Sequence, residues 1–307
     1  MSLAVHPVPA MGAEDVLVDR DGSVLTGTAD GTIWRVDATG ARVRAVARTG
    51  GRPLGLELYG DDLLVCDARR GLLLVDPRTG AVEQLVTHVE GVAMRFCNNA
   101  AVADDGTIWF SDSSRHHGID RWKDEMVGPT RTGRLLRRSP GGEVDVVLDG
   151  LTFANGVALS SDGSSVHVAE TGARTVVRLR LEGSAAGTRD FLAADLPGYP
   201  DNISRGSDGL VWVTIASPAD PVVGLLQKAP AALSRWATRV PESLQPQPKR
   251  TVRVQAYDDA GTLVHDLDLE PPAGGPGFHM ATGVREHEGR VWLGSLLEPS
   301  IAVFDQA

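Results

Sequence analysis

Phe153-Ala-Asn-Gly-Val-Ala-Leu-Ser-Ser-Asp-Gly163 opens as a strand, turns at Asp162-Gly163 and climbs back through Ser165-Val-His-Val-Ala169. Asn155 lies seven residues before the turn aspartate. The same offset before other acidic turns gives Glu14 before Asp21-Gly22, Leu54 before Asp61-Asp62, Asn98 before Asp105-Gly106, Asp201 before Asp208-Gly209 and Ala281 before Glu288-Gly289. Six repeats thus present one residue each at one register, and four of the six are oxygen donors. Recurrence of this kind points to a ring of similar units with a ligand site on its axis.

Each turn is followed by a short β-rich run: Val24–Thr28, Leu63–Cys66, Thr107–Ser111, Val166–Ala169, Leu210–Thr214 and Arg290–Gly294. Third strands read at Gly31–Val36, Gly71–Val75, Gly133–Arg137, Thr175–Leu179, Val252–Ala256 and Ser300–Phe304, and fourth strands at Ala41–Ala45, Val82–Val86, Glu143–Val147 and Leu263–Asp266. Short strands punctuated by Gly and Asp turns are hairpin signatures. The arithmetic is that of an all-β, six-bladed β-propeller of four-stranded blades, read as a single domain over residues 1–307. The sixth unit runs out after Phe304, so a strand near Val5 to Pro9 is expected to complete it and close the ring. Insertions at Ser113–Thr132 and Ser217–Arg250 follow second strands and belong on the face that carries the axial site; the second contains a helical stretch from Leu225 to Ala237 and a Pro/Gln-rich loop.

Composition narrows the function. The chain has 307 residues, 42% hydrophobic and 23% charged, as a soluble globular protein would. A net charge of -10 argues against nucleic acid and anionic membrane, leaving a small molecule as the expected partner. Cys66 and Cys97 make no metal-ligating spacing and are expected to pack as small apolar residues. The first residues lack a charged leader and an apolar core, and no run is apolar enough to span a membrane, so a cytoplasmic location is expected.

Two carboxylates, Glu14 and Asp201, and two amides, Asn98 and Asn155, make an oxygen-only donor set. Such a set suits Ca²⁺, with Mg²⁺, Mn²⁺ or Zn²⁺ as alternatives. Asp201 is the candidate general base or nucleophile, and His279, just before the sixth inner strand, the candidate proton shuttle. His116, His117, Glu170 and Thr282 are candidate pocket residues. Trp34, Trp109, Trp212 and Trp292 recur on second or third strands, which marks them as packing between blades.

Arg95-Phe-Cys-Asn-Asn99, Leu151-Thr-Phe-Ala-Asn-Gly-Val157, Ala169-Glu-Thr171 and Leu196-Pro-Gly-Tyr-Pro-Asp-Asn-Ile203 resemble the strictosidine synthase-like branch of the senescence marker protein/gluconolactonase (regucalcin) propellers, from about Gly12 to Phe304. The resemblance implies a divalent ion held by Glu14, Asn98, Asn155 and Asp201, the set that spacing gives, with Asp201 catalytic. It also implies a glutamate in the sixth blade for amine–aldehyde condensation, where this chain has Thr282. The expectation is therefore a calcium-dependent lactone or ester hydrolase. A Ca²⁺-bound propeller with a binding or structural role is the competing reading.

Overall fold

The computed structural model describes residues 3–128, 130–230, 234, 237, 240, 248–270 and 277–306. Six sheets of four antiparallel strands each follow one another along the chain. Blade two is Pro53–Tyr59, Asp62–Asp67, Gly71–Val75 and Val82–Val86, and blade three is Cys97–Val102, Ile108–Asp112, Gly133–Arg138 and Val144–Leu151. Blade four is Ala154–Leu159, Ser165–Glu170, Thr175–Arg180 and Arg189–Ala193; the last of these was not read in the sequence. Blade five is Gly198–Arg205, Val211–Pro218, Val252–Tyr257 and Leu263–Leu269. Blade one starts with a short inner strand, Leu17–Val18, and continues through Val24–Gly27, Thr32–Val36 and Val43–Arg48.

Blade six joins the two ends of the chain. Ala281–His287, Arg290–Ser295 and Ser300–Asp305 are completed by Ala4–Pro7, which pairs antiparallel with the third strand from Ala4↔Val303 to Pro7↔Ser300. The closing strand thus begins one residue earlier than Val5 and ends at Pro7.

Closure also shows in the packing, because each pair of neighbouring blades shares one apolar cluster. Leu64, Cys66 and Leu72 of blade two, for example, meet Cys97, Ile108 and Phe110 of blade three. Both cysteines are fully buried free thiols there. Corresponding clusters join blades three and four, four and five, five and six, six and one, and one and two. Apolar side chains on both faces of each sheet thereby leave water, which is the stabilisation that a ring of sheets supplies. Trp109, Trp212 and Trp292 are buried as expected, whereas Trp34 is half-buried and donates its indole N–H to the Thr28 hydroxyl at 3.0 Å.

Both insertions return as helices. α1, Trp122–Val127, follows the second strand of blade three. α2, Pro221–Lys228, follows that of blade five and is capped by Asp220, whose carboxylate accepts the Val222 and Val223 N–H groups. Pro221 at the first helical position suits the fixed φ of proline. The helical reading of Leu225 to Ala237 is met over its first turn and at Ser234 and Ala237; residues 231–233, 235–236 and the loop 241–247 lie outside the described residues.

Candidate functional site

A shared irregularity in the inner strands builds the site. In blades two to six, three inner-strand residues run against two of the neighbouring strand, between Pro53 and Leu56, Cys97 and Ala100, Ala154 and Val157, Pro200 and Ile203, and Ala281 and Val284. Each is a β-bulge, which bends the strand and re-aims side chains at its hub end. The first residue of each bulge is Leu54, Asn98, Asn155, Asp201 or Thr282. Glu14 takes this place in blade one, its N–H bonded to the Gly27 carbonyl at 3.2 Å. The sixth member is therefore Thr282 and not Ala281. The tight turn of blade six pairs His287 with Arg290, so Gly289 rather than Glu288 corresponds to the other turn residues.

Glycines let the bulges converge. A Cβ on Gly156 would lie 2.1 Å from the Ile203 nitrogen and 2.6 Å from the Asn202 Cα. Gly55 stands in the same relation to Asn99, and Gly283 to Asp15, where an added methyl would lie 2.6 Å from the facing Cα in each case. Blades two, four and six thus give up a side chain so that Asn99, Asn202 and Asp15 of the next blade can close against them. Asp15 Oδ2 accepts the Leu56 N–H at 3.0 Å and Asn99 Oδ1 accepts that of Val157 at 2.9 Å, bolting neighbouring blades together at the hub.

Glu14, Leu54, Asn98, Asn155 and Asp201 share the wall of one cavity of about 140 Å³. The amide of Asn98 donates to Ser113 Oγ at 2.9 Å, and that hydroxyl spends its own proton on the Ala154 carbonyl at 2.6 Å. Ser113 can therefore only accept, which turns the Asn98 carbonyl oxygen the other way. Asn155 Nδ2 donates to Thr171 Oγ1 at 3.1 Å, and Asn202 Nδ2 to Glu14 Oε1 at 3.1 Å. Left without a hydrogen-bond partner are the buried oxygens Asn98 Oδ1, Asn155 Oδ1, Asn202 Oδ1 and Glu14 Oε2. An orphaned buried acceptor costs about 1–3 kcal/mol, so several in one place call for an electropositive occupant.

The carboxylates make the same demand. Burial raises the Glu14 pKa well above the usual carboxylate range, and the charges of Asp15 and Asp201 add to the rise. Asp201 is pushed up to about 7, chiefly by burial, with the Asn155 hydrogen bond pulling the other way. Two acids at the hub, ringed by oriented carbonyl oxygens and without nitrogen or sulfur donors, match the chemistry of a hard divalent cation. The residues present fit such an ion. Among the described residues no three His, Cys, Asp or Glu side chains gather into a metal-binding group, at the hub or away from it, so the hub set draws on amide oxygens beside its two carboxylates.

The comparisons with known proteins agree with this architecture. The profile of the SMP-30/Gluconolactonase/LRE-like region matches residues 29–225, and that of the strictosidine synthase-like N-terminal region matches residues 7–36. The chain belongs to the SMP-30/gluconolactonase/LRE-like family. Its similar relatives include an Arabidopsis thaliana protein named strictosidine synthase-like 10, 32% identical over 98% of this chain and 87% of that one. The adipocyte plasma membrane-associated protein of Salmo salar is 32% identical over 92% of this chain and 73% of the relative. Among solved structures, a Xanthomonas campestris gluconolactonase superposes with a TM-score of 0.70 at 17% identity, covering 99% of this chain and 89% of that one. The calcium-binding protein regucalcin of Agrobacterium tumefaciens gives 0.66 at 14% identity, covering 97% and 90%. At such identities the structural likeness establishes the propeller fold.

Within this family fold the remaining sequence-predicted residues take other places. Thr282 is fully buried and donates Oγ1 to the Glu14 carbonyl oxygen at 2.8 Å, so it holds the backbone of a donor residue and does not line the cavity. His279 also lies off the wall; its Nδ1 meets the Glu298 carboxylate and its Nε2 lies 3.5 Å from Arg250 Nη1. His117 is bound through Nδ1 to buried Glu125 at 2.9 Å, and the His116 N–H to Ser114 Oγ at 3.0 Å, which ties the blade-three insertion to α1. Glu170 accepts the Thr152 N–H at 2.8 Å, a bond from its strand to the link between blades three and four. None of these residues forms part of the cavity wall. Sequence reading missed Asn202, although Asp201-Asn202 stood in plain view, because strict alternation assigns consecutive residues to opposite faces. A bulge sets that rule aside.

Proposed function

We propose that this chain is a divalent-cation-dependent hydrolase of small lactones or esters. Glu14, Asn98, Asn155 and Asp201 hold the ion, Ca²⁺ by the oxygen-only donor set, and Asn202 adds a further carbonyl oxygen. The observation that carries this reading is that three residues of one cavity wall, Glu14, Asn98 and Asn155, each bear a buried oxygen without a hydrogen-bond partner, on a wall that Asp201 shares. Bound there, a calcium ion supplies Lewis-acid polarisation of the substrate carbonyl.

The side chains do the rest. Asp201 is partly exposed at the cavity, unlike buried Glu14, Asn98 and Asn155, so its carboxylate is the one that can reach substrate. As general base it takes a proton from the water whose oxygen adds to the carbonyl carbon; the ester C–O bond then breaks, and the departing oxygen receives a proton to give acid and alcohol. Direct attack by Asp201 on the carbonyl carbon is the nucleophilic variant of the same assignment. Ser113 and Thr171 keep the two amides in orientation, and Thr282 keeps Glu14 in place. Trp122, Met126 and Val127 of α1 and Val223 and Leu226 of α2 supply an apolar wall beside the reacting bond.

The test is lactone and aryl-ester hydrolysis by purified protein with calcium, after chelation, and in Asp201→Asn. Hydrolysis abolished by chelation, and reduced at least a hundredfold in a folded Asp201→Asn protein, supports the reading. Unchanged turnover in either condition refutes it. An ion that only pins blades one, three, four and five together would stabilise the protein with no turnover in any arm.

A further inference from the structure

The residue two positions before each hub residue forms a second ring, one layer up: Gly12, Arg52, Phe96, Phe153, Tyr199 and Met280. The last four are large and apolar, and all four line the cavity. Arg52 turns away, donating Nη1 to the Gly12 carbonyl at 3.0 Å and to that of Pro53 at 3.3 Å. Phe96 and Phe153 meet edge-tilted, with centroids 5.5 Å apart at 55°. The Tyr199 hydroxyl is engaged with the Asp220 backbone, accepting its N–H at 3.1 Å, which leaves the ring and not the oxygen for the cavity.

Backbone conformation points the same way. Phe153 has φ 62° and Met280 φ 52°, the left-handed region that bulky residues rarely enter. Side chains with a Cβ are strained there, and such strain persists where the surroundings impose it, often at ligand sites. Above this collar, Trp122 and Met126 of α1 and Val223 of α2 continue the same apolar cluster. That cluster lies over the hub instead of between two blades.

Polar groups on the wall away from the hub are largely engaged. Asp220 caps α2, Thr171 accepts from Asn155, and Ser217 Oγ accepts the Lys249 N–H at 3.2 Å. A polyhydroxylated ligand would lose water at each hydroxyl and find few partners in return.

We propose that the collar of Phe96, Phe153, Tyr199 and Met280 selects an apolar substrate, a lactone or ester whose non-reacting part is a hydrocarbon or aromatic group, over a polyhydroxylated sugar lactone. The inference rests on the hydrolytic reading for the reacting bond, but the binding preference stands by itself. A cavity of about 140 Å³ matches a single ring in size, as an engineered cavity of similar volume takes up benzene.

The experiment uses the intact calcium-loaded protein and two δ-lactones, one with a butyl substituent and one with hydroxyls on the ring carbons. Their unreactive cyclic-ether analogues serve as calorimetric binding probes. Each buried methylene favours the alkyl compound by about fourfold, so a preference of at least tenfold in kcat/KM and in affinity is expected. Phe153→Asn removes the apolar face while placing a residue at ease in left-handed backbone, and in variant protein whose folding is verified by circular dichroism the preference falls at least tenfold. Equal or better turnover and binding of the hydroxylated compounds overturns the proposal, as does failure of both analogues to bind. Selective binding of the alkyl ether with no turnover of either lactone supports the collar and refutes the hydrolytic reading.

Discussion

Gly156→Ala tests whether close approach of the blades at the hub holds the site together. The added methyl would meet the Ile203 nitrogen at 2.1 Å and the Asn202 carbonyl carbon at 2.6 Å. Both are backbone atoms of a neighbouring sheet, with no flexible side chain to step aside. Relief requires blades four and five to part, and overpacking of this kind costs about 1–3 kcal/mol. The lower chain entropy of alanine offsets roughly 0.5–1 kcal/mol, so a net loss of about 1 kcal/mol is expected. At roughly 2 °C per kcal/mol for a chain of this size, the calorimetric midpoint should fall about 2 °C. Gly224→Ala in α2 is the internal control, since nothing lies within 4 Å of its added methyl. There the better helix propensity of alanine should stabilise by up to about 1 kcal/mol. One substitution chemistry thus gives opposite signs at two sites. A Gly156→Ala protein as stable as wild type, or shifts of the same sign at both sites, would refute the argument from convergence.

Two further outcomes follow from buried charge. His167 is fully buried with neither ring nitrogen hydrogen-bonded, and burial, reinforced by Arg178, Arg205 and Arg180 against the opposing charge of Asp259, lowers its pKa from 6.5 to about 4. The unfolded chain takes up the proton first, so this contribution to stability is complete above pH 6.5 and is lost as pH falls toward 4, on the order of 3 kcal/mol in all; the urea midpoint should therefore fall further between pH 7 and pH 4.5 for wild type than for His167→Leu, and equal falls contradict the assignment. Arg134 pairs with Asp112 at 2.5 Å, both fully or almost fully buried, while Asp112 also accepts the Phe96 N–H at 3.2 Å. Arg134→Met should cost about 3–5 kcal/mol by stranding that carboxylate, with much of the loss recovered by adding Asp112→Leu; a loss below about 1 kcal/mol in denaturant titration argues against a buried pair.

Turns carried most of the legible signal. Hairpin length fixes the distance from hub to turn, so Glu14, Asn98, Asn155 and Asp201 could be aligned without coordinates. The same reasoning slipped by one residue at Ala281, because the two-residue turn of blade six places Gly289 where other blades have the turn aspartate. Arg189–Ala193 escaped notice because an outer strand exposes Arg189, Asp190 and Phe191 and buries only Leu192 and Ala193, which blurs alternation. The sequence puts His116 and His117 after a second strand and Glu170 at the end of another, positions that suggest the face of the site. Local partners decide their orientation instead, namely Ser114, Glu125 and Thr152, and such bonds across loops leave no periodic trace. The apolar collar was present in the sequence as a fixed offset, two residues before the hub residue in each of blades three to six. Its meaning depended on helices α1 and α2 folding back over the hub, a path that insertion length alone does not specify.

The central claim is that oxygens from four separate blades hold one divalent cation. Calorimetric titration of chelator-stripped protein with Ca²⁺ tests it most directly, beside Asn155→Leu, which removes one orphaned oxygen from blade four and leaves Glu14 and Asp201 intact. The account predicts one ion per wild-type chain and at least tenfold weaker binding in the variant. Absence of binding to wild type, or equal affinity in the two proteins, would contradict it.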